Sequence, residues 1–472
     1  MILDAIANFV KGVWGKMFER DTLQKAIGVQ PVITSAMLQA IRMWSVMYEN
    51  RAPWLNDSIK SLNLAASICA ELASTITIEM DVTIEGSRRA DFLSAEFERM
   101  IEDKLQIAVE YAVAKGGMIF KPYVDGQRLA VDFVQADQFY PIRFDPNGRL
   151  LEVVFVDQEK RHDRIYTRLE HHNYTDTEYL VVNRAFQSTD SAALGSPVGL
   201  SAVGRWADLQ PEAIISNVEQ PLFAYFKFPL ANTIDTTSHI GVSGFSRAVD
   251  LIQQADEIWS NMLWEFESGK RALYVDSIAL KKDKDGKPIL PDTRLYRVLN
   301  GGTNVGDNPE GLFHEWSPAF RDESIRAGLD AVLKKIEYTV GLAYGTISDP
   351  NLQAKTATEI KVSRQRTYVT IVSAQKALQS ALEGLIYAMN VWATIGGLAP
   401  AGDYSVSMQF DDSVLVDKQA QFMQDLQLVR DGLMGKVEFR VKHFGEDEEV
   451  AAEKLREIAA VMPNMDLFAA GA

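Results

Sequence analysis

Three helical patterns in a row, between Gly244 and Trp392, constrain the fold of this chain more than any other feature. In the first two, apolar residues recur at steps of three or four, which places them on one side of an amphipathic helix. The first set is Phe245, Val249, Ile252, Ile258, Trp259, Met262 and Phe266. The second set is Ile325, Leu329, Val332, Leu333, Ile336 and Val340. Two such helices favour packing against copies of the same chain.

The segments between the three helices are of two kinds. A polar insert from Arg271 to Phe320, interrupted by Gly and Pro, separates the first helix from the second. A short loop joins the second helix to the third, which has no proline before Pro400 and predicts a helix on the order of 55–60 Å long. A helical pair with an insert at one end and a long helix at the other indicates a ring-forming subunit.

Residues at these junctions carry a resemblance to a known family. Residues 355–359 read Lys-Thr-Ala-Thr-Glu and begin the long helix, residues 244–246 begin the first helix, and Gly341 and Gly345 end the second. In this order, over about 244–392, the chain resembles the portal proteins of tailed bacteriophages, whose long helix begins with a similar Lys-Thr-Ala-Thr-Glu signature.

The resemblance implies an α+β, mainly helical fold of the portal type. Its expected parts are N-terminal helices and an α/β wing at 1–240, stem helix one at 241–270, a hairpin-containing clip at 271–320, stem helix two at 321–345, a tunnel loop at 346–356, a long wing helix at 357–397, and a C-terminal strand with a helical crown at 398–472.

The resemblance also implies the function of a head-to-tail connector. Such proteins form a homo-oligomeric ring, usually of twelve subunits, at one vertex of the capsid, and double-stranded DNA passes through the ring during packaging and ejection without sequence-specific contacts. The implied partners are the terminase large subunit and a head–tail adaptor at the clip, and capsid and scaffold protein at the wing. The expected location is the virion, after assembly in the host cytoplasm, and no membrane partner is expected.

Individual residues acquire roles from the same resemblance. The loop after the second stem helix projects into the channel of portal rings, which implies DNA-channel residues at Ser348, Asp349, Asn351, Gln353 and Lys355. An ordinary helix–helix connection with a solvated Lys355 is the alternative. The apolar sides of the stem imply a subunit interface of Phe245, Ile252, Trp259, Met262, Phe266, Leu329 and Ile336. Stem charges are expected on the surface, along the bore or between subunits: Asp250, Asp256, Glu257, Glu265, Asp330, Lys334, Lys335 and Glu337.

Local patterns predict the rest of the chain. Residues 1–20 form an amphipathic helix expected to dock on the protein itself or on a neighbouring subunit. Further helices are predicted at 34–48, at 57–74 with Asp57 as N-cap, and at 88–115. Alternation predicts strands from Met118 to Phe186, a second hairpin within the insert, and a strand at 404–410. Two or three helices follow at 413–460.

The charge of the chain limits how it meets DNA. The formal net charge is −16, whereas a protein that grips DNA shows a basic footprint. An acidic channel denies phosphates stable docking sites, so DNA is expected to slide; the alternative is that the acidity serves solubility. The single cysteine, Cys69, lies in an apolar helical run and is expected to be a small buried hydrophobe. The N-terminal residues lack the basic start of a signal peptide.

No motif for catalysis is found, so no enzyme activity, cofactor or metal is expected. Phosphate-binding, dinucleotide-binding, nucleophile-elbow and zinc-protease signatures do not occur in the sequence. His162, His171 and His172 come nearest to a metal cluster, but neighbouring residues of a strand point to opposite faces, so at most one of His171 and His172 could join His162. All three are therefore expected to be exposed strand histidines. The Asp residues at 411, 412 and 417 fit a strand end and a helix start better than a cation site.

Two other functions stay open at the sequence level. A metal-dependent nucleic-acid-processing enzyme with a helical insertion would need carboxylates such as Asp132, Asp145 and Asp157 to converge on a metal. A non-channel helical scaffold or adaptor would share the helices but lack an axial hole.

Overall fold

The computed structural model describes residues 18, 20–78, 80–268, 272–276, 281, 284, 296–299, 313–316, 321–349, 357–410 and 418–461. The chain divides into two compact units. One contains residues 1–77 and 82–408, and the other contains residues 78–81 and 409–472. No helix in the described ranges is long and apolar enough to cross a bilayer.

Helices occupy both units, and the predicted order of helices after residue 20 is confirmed; the helix predicted at 1–20 lies almost wholly outside the described residues. Their bounds are α1 Arg20–Ile27, α2 Ser35–Tyr48, α3 Leu64–Thr77, α4 Arg88–Phe97, α5 Asp103–Lys115, α6 Val249–Ser268, α7 Asp322–Val340, α8 Ala357–Ile395, α9 Lys418–Arg430, α10 Lys436–Phe444 and α11 Glu448–Val461. A single π-helical turn, Glu98–Glu102, joins α4 to α5.

Strands are concentrated between α5 and α6, as the alternating pattern predicts. Their bounds are β1 Met80–Gly86, β2 Gly117–Asp125, β3 Arg128–Gln135, β4 Phe139–Phe144, β5 Leu150–Arg161, β6 Arg164–Thr175, β7 Glu178–Ser188, β8 Ser196–Val198, β9 Glu212–Ser216, β10 Ala224–Lys227, β11 Ala272–Asp276, β12 Tyr296–Leu299, β13 Phe313–Trp316 and β14 Tyr404–Phe410.

The strands form four sheets in the described part of the chain. The order β4-β5-β6-β7-β8 defines the largest, and β9 also pairs with β7. A second sheet has the order β10-β2-β3, and a third has β12-β11-β13; β1 pairs with β14. The predicted hairpin of β2 and β3 is confirmed, with Gly126 at φ +62° in its turn. That positive φ suits glycine, as a two-residue hairpin turn requires.

The core lies where α3, α5 and the long helix α8 pack around the sheet that contains β2. The apolar sides of these helices bury Ile68, Leu72, Val109, Leu378 and Leu382 almost completely. Cys69 is also fully buried there, so its prediction as a small core hydrophobe is confirmed. Burial raises the pKa of its thiol, because the charged thiolate loses its water.

Two local predictions are wrong. Helix α3 begins at Leu64 rather than after Asp57, because residues 56–59 form a turn in which the Asn56 side chain accepts from the amides of Ser58 and Ile59. In the insert, β11 pairs with β12 in parallel, not as a hairpin. The chain between them is too long for a tight turn, and the antiparallel partner of β11 is the unpredicted β13.

The second unit contains α9, α10 and α11, in agreement with the predicted number of tail helices. Phe422, Phe439 and His443 stack edge to face between α9 and α10. At the start of α11, Glu446 accepts from Arg440 and Lys454, and these cations lower the pKa of its carboxyl to about 2.

Close backbone packing at Gly241 yields a stability prediction. A Cβ at this position would overlap the carbonyl oxygen of Gly116, which is backbone and cannot rotate away. We expect Gly241→Ala to lower the free energy of unfolding by about 1–3 kcal/mol in urea denaturation followed by circular dichroism. Gly204→Ala is the control, because no atom lies within 4 Å of its Cβ. Equal stability of the two variants would contradict this packing.

Candidate functional site

The helical pair of α6 and α7 and the loop after it form the candidate site. The two helices pack against each other, although fifty-three residues of insert separate Ser268 from Asp322 in sequence. Helix α7 ends at Val340, and Gly341, one of the two glycines predicted to end it, adopts a left-handed φ of +84° directly after it. A Cβ there would meet the Thr370 hydroxyl of α8, so glycine also permits the close approach of the long helix.

The seven predicted interface residues fall into two groups. Phe245, Ile252, Leu329 and Ile336 are buried inside the chain itself, so their side chains pack the subunit rather than face solvent. Trp259 and Met262 are half-buried, and Phe266 is 43% exposed. An interface role for the last three stays a prediction.

Large apolar side chains that sequence reasoning missed lie at the end of α6. Trp264 is 63% exposed and Leu263 is also exposed, beside Phe266. Trp264 is five residues after Trp259 and two before Phe266, so a stripe drawn at steps of three or four leaves it out. We call Leu263, Trp264 and Phe266 the 263–266 surface. Leu263 and Phe266 are three residues apart and occupy neighbouring positions on the helix, whereas Trp264 lies on another side of it. Large exposed apolar side chains of this kind are typical of a protein–protein contact.

Four stem carboxylates expected on the surface are instead buried: Asp256, Glu265, Asp330 and Glu337. Each lies three or four residues from members of the apolar stripe, as Glu337 does from Leu333 and Val340. That spacing places it on the inner side of its helix. Burial is tolerated because hydrogen bonds replace the lost water around each carboxylate.

Asp256 ties α6 to the segment before α3. Its oxygens accept from the Leu62 amide at 2.7 Å and from the Trp54 indole at 2.9 Å. Burial raises the pKa of this carboxyl, and the two hydrogen bonds partly offset that effect. The next turn of α6 adds Ser260, whose hydroxyl accepts from the Lys60 amide at 2.7 Å.

Glu265 and Arg321 join the two helices at the end where the insert departs. The guanidinium donates to both carboxylate oxygens, at 3.1 and 2.7 Å. These hydrogen bonds lower the pKa of Glu265. A two-point Arg–carboxylate contact fixes orientation as well as distance, so it holds the last turn of α6 against the start of α7.

Glu337 organises the start of the loop after α7. Its Oε1 accepts from the amides of Gly345, Ile347 and Ser348 at 3.0, 2.7 and 2.9 Å, and its Oε2 accepts from the Ser348 hydroxyl at 2.9 Å. The Oδ2 atom of Asp330 pairs with Lys334 at 2.6 Å, and its Oδ1 accepts a hydrogen bond from the Asp349 amide. The first half of the loop is therefore folded back onto α7 by buried carboxylates.

The predicted DNA-channel residues are only partly described. Ser348 is buried against Glu337, so its hydroxyl serves the loop's own structure, whereas Asp349 is exposed. Asn351, Gln353 and Lys355 lie outside the described residues, as does Thr356 of the Lys-Thr-Ala-Thr-Glu run.

The prediction for the strand histidines is wrong for two of the three. His171 and His172 are buried, and His172 bonds to Glu170 at 2.8 Å and to the Tyr179 hydroxyl at 2.5 Å. Glu170 also accepts from Lys121 at 2.8 Å. Both faces of the sheet are covered here, so a polar strand residue is buried and must find partners. His162 is exposed in the turn between β5 and β6.

The carboxylates proposed for a metal-dependent enzyme do not form a cluster. Asp132 pairs with Lys121, Asp157 pairs with Arg205 at 2.7 Å, and Asp145 accepts from the amide of Arg149 in a turn. Across the described ranges no three His, Cys, Asp or Glu side chains are placed to hold a metal ion.

Comparison with known proteins gives one family. A family model described as "Phage portal protein, SPP1 Gp6-like" matches residues 98–462, which include the helical pair, the loop and the long helix. Two solved structures show a weak likeness at 11% identity. The first, "Virion of native gene transfer agent (GTA) particle", has a TM-score of 0.46 over 90% of this chain and 99% of that one. The second, "Neck of native GTA particle computed with C12 symmetry", has a TM-score of 0.45 over 90% and 98%. No curated protein sequence matches.

The hydrogen bonds of Glu337 predict a local effect that can be measured. We expect Glu337→Gln to lower the free energy of unfolding by about 1.5–3 kcal/mol, because a neutral amide replaces a charged acceptor of several amides. Amide hydrogen exchange at Gly345, Ile347 and Ser348 should become faster.

Glu323→Gln is the matched control, because Glu323 is exposed in the first turn of the same helix. Unchanged exchange in the Glu337 variant would show that the carboxylate does not hold the loop.

Proposed function

Because the chain belongs to the phage portal protein family of the SPP1 Gp6-like type, we propose that its copies close into a ring around a DNA channel. In this proposal the ring contains twelve subunits and occupies one vertex of a phage capsid, where double-stranded DNA enters during packaging and leaves during ejection. The family match over the helical pair, the loop and the long helix is the observation that carries it. Portal proteins are structural rather than catalytic, so ATP hydrolysis is assigned to a separate terminase.

The 263–266 surface supports association between copies. A ring requires one patch of each subunit to meet a different patch of the next at a fixed rotation, and an exposed apolar patch on a rigid helix suits this requirement. The buried carboxylates of the stem contribute rigidity, since Asp256 holds the middle of α6 and Glu265 holds its last turn within the subunit. Trp259 and Met262, half-buried next to the patch, extend the proposed interface.

The channel in this proposal is lined by the loop after α7. Its exposed Asp349, together with Asn351, Gln353 and Lys355, would meet the phosphates with weak contacts of mixed sign. With a net charge of −16 the protein offers no strong electrostatic grip. DNA would therefore move past without a stable docking position.

The partner assignments follow the expected parts of the chain. We assign the terminase large subunit and the head–tail adaptor to the insert at 271–320, and capsid and scaffold protein to the N-terminal wing at 1–240. The three-stranded sheet of the insert joins segments that are far apart in sequence, which gives this projection an ordered centre for partners to contact.

Ring assembly tests the interface. We expect the double variant Trp264→Ser, Phe266→Ser to need at least about tenfold more protein to assemble, since the loss of two apolar anchors exceeds 1.4 kcal/mol per contact. Size-exclusion chromatography with light scattering measures the assembled fraction. Ile214→Ser is the control, because Ile214 is 60% exposed on β9 in the wing. A wild-type protein that stays monomeric across a range of salt would contradict the ring.

DNA packaging tests the loop. We expect Lys355→Glu to leave ring formation unchanged and to lower the amount of DNA packaged into capsids in vitro several-fold, because the remaining contacts all repel or only weakly attract phosphate. The control is Lys376→Glu on the exposed side of α8. Equal packaging by both variants would show that the loop does not meet the DNA.

A further inference from the structure

A cleft of about 810 Å³ with a mixed polar and apolar lining lies in the wing, and no residue of the stem or its loop lines it. Its volume is in the range of sites that bind ligands or peptides. Three elements form it: the turn between β4 and β5, strand β10 with the residues that follow it, and one side of α8 from Ala377 to Gly384.

The strand in this cleft is an edge strand. Within the described residues β10 pairs only with β2. Phe228 donates from its amide to the Gly116 carbonyl just beyond the pairing, and in an antiparallel ladder such bonds alternate. The amides and carbonyls of Tyr225 and Lys227 therefore point away from β2, and no backbone partner for their outer side occurs in the described part of the chain.

Two cations border the same cleft without a carboxylate partner. Lys227 is half-buried and makes no ion pair within the described residues, and the guanidinium of Arg149 at the mouth donates to the side-chain oxygen of Gln220 at 2.6 Å. By contrast, the buried Lys115 and Lys121 each pair with a carboxylate, at 2.7 and 2.8 Å. Burial lowers the pKa of Lys227, because the charged form loses its water.

The walls of the cleft favour a peptide over DNA. Part of the lining is apolar and would contact apolar side chains of a peptide, whereas a phosphate backbone has no group to place there. The apolar residues are Phe223, Leu230, Ala377 and Ala381. Glu383 lies in the wall and would repel a phosphate backbone, whereas a peptide can place a neutral or apolar side chain beside it. An exposed strand edge offers hydrogen bonds at the spacing of another extended polypeptide.

We propose that this cleft binds an extended acidic segment of a partner protein, which adds as a strand to the outer edge of β10 and places its carboxylates on Lys227 and Arg149. The backbone groups of Tyr225 and Lys227 supply the pairing, and the two cations supply the preference for acidic sequences. The site is separate from the proposed channel, so it can fail while the ring stands.

The test uses the full-length protein and a labelled seven-residue peptide of alternating glutamate and valine, followed by fluorescence anisotropy. We expect binding that weakens with salt, no binding of the same peptide with lysine in place of glutamate, and loss of binding when alternate peptide amides are N-methylated. Hydrogen exchange should show that the peptide slows exchange of the Tyr225 and Lys227 amides.

Variants locate the site. We expect Lys227→Met and Arg149→Gln each to weaken peptide binding, by about tenfold for Lys227→Met, the loss expected of one charge-assisted contact. Lys376→Met is the control, since this exposed lysine of α8 lies outside the cleft lining. Absent binding, equal binding of the lysine peptide, or displacement of the peptide by a short DNA duplex in a Lys227-dependent manner would overturn the proposal. Ring formation by the same variants separates this result from the channel proposal.

Discussion

The helical pair depends on carboxylates that an acidic protein keeps out of water. Glu337, fully buried at the end of α7, accepts three backbone amides and one hydroxyl of the following loop. On α6, Asp256 accepts a hydrogen bond from the Leu62 amide and Glu265 accepts one from the Arg321 guanidinium. Removing a partner from a buried charge is costly, so each of these contacts opposes motion of the element it holds. The pair is a rigid unit whose ends and whose loop are fixed from inside.

This rigidity bears on the proposed DNA channel. A loop that contacts moving DNA needs its first residues held firmly by the rest of the subunit. Glu337 holds residues 345–348 in this way, and the exposed Asp349 comes next. The net charge of −16 then leaves little attraction for phosphate, which suits passage rather than grip. The apolar 263–266 surface lies on α6, the other helix of the pair, so in the proposed ring the contact with a neighbour and the position of the loop would be coupled through the packing of α6 on α7.

The sequence predicts the order of elements well and the roles of polar residues poorly. Periodicity places α6, α7 and α8 because each buries an apolar side over many residues, and one or two exceptions do not hide such a pattern. The burial of Glu337 and Asp256 is missed because charged residues are assigned to the surface of a helix by default. Their spacing of four residues from Leu333 and Ile252 nevertheless places them on the inner side. The parallel pairing of β11 with β12 depends on contacts distant in sequence, which alternation cannot reveal. His172 is missed because alternation does not show that both faces of its sheet are covered.

Cryo-electron microscopy of the purified, assembled protein tests the central claim most directly. We expect closed rings with an axial opening wide enough for a DNA duplex, α6 and α7 arranged around that opening, and Trp264 in contact with the next subunit. Particles without an opening, or rings in which the helical pair faces away from the axis with Trp264 in solvent, would contradict it.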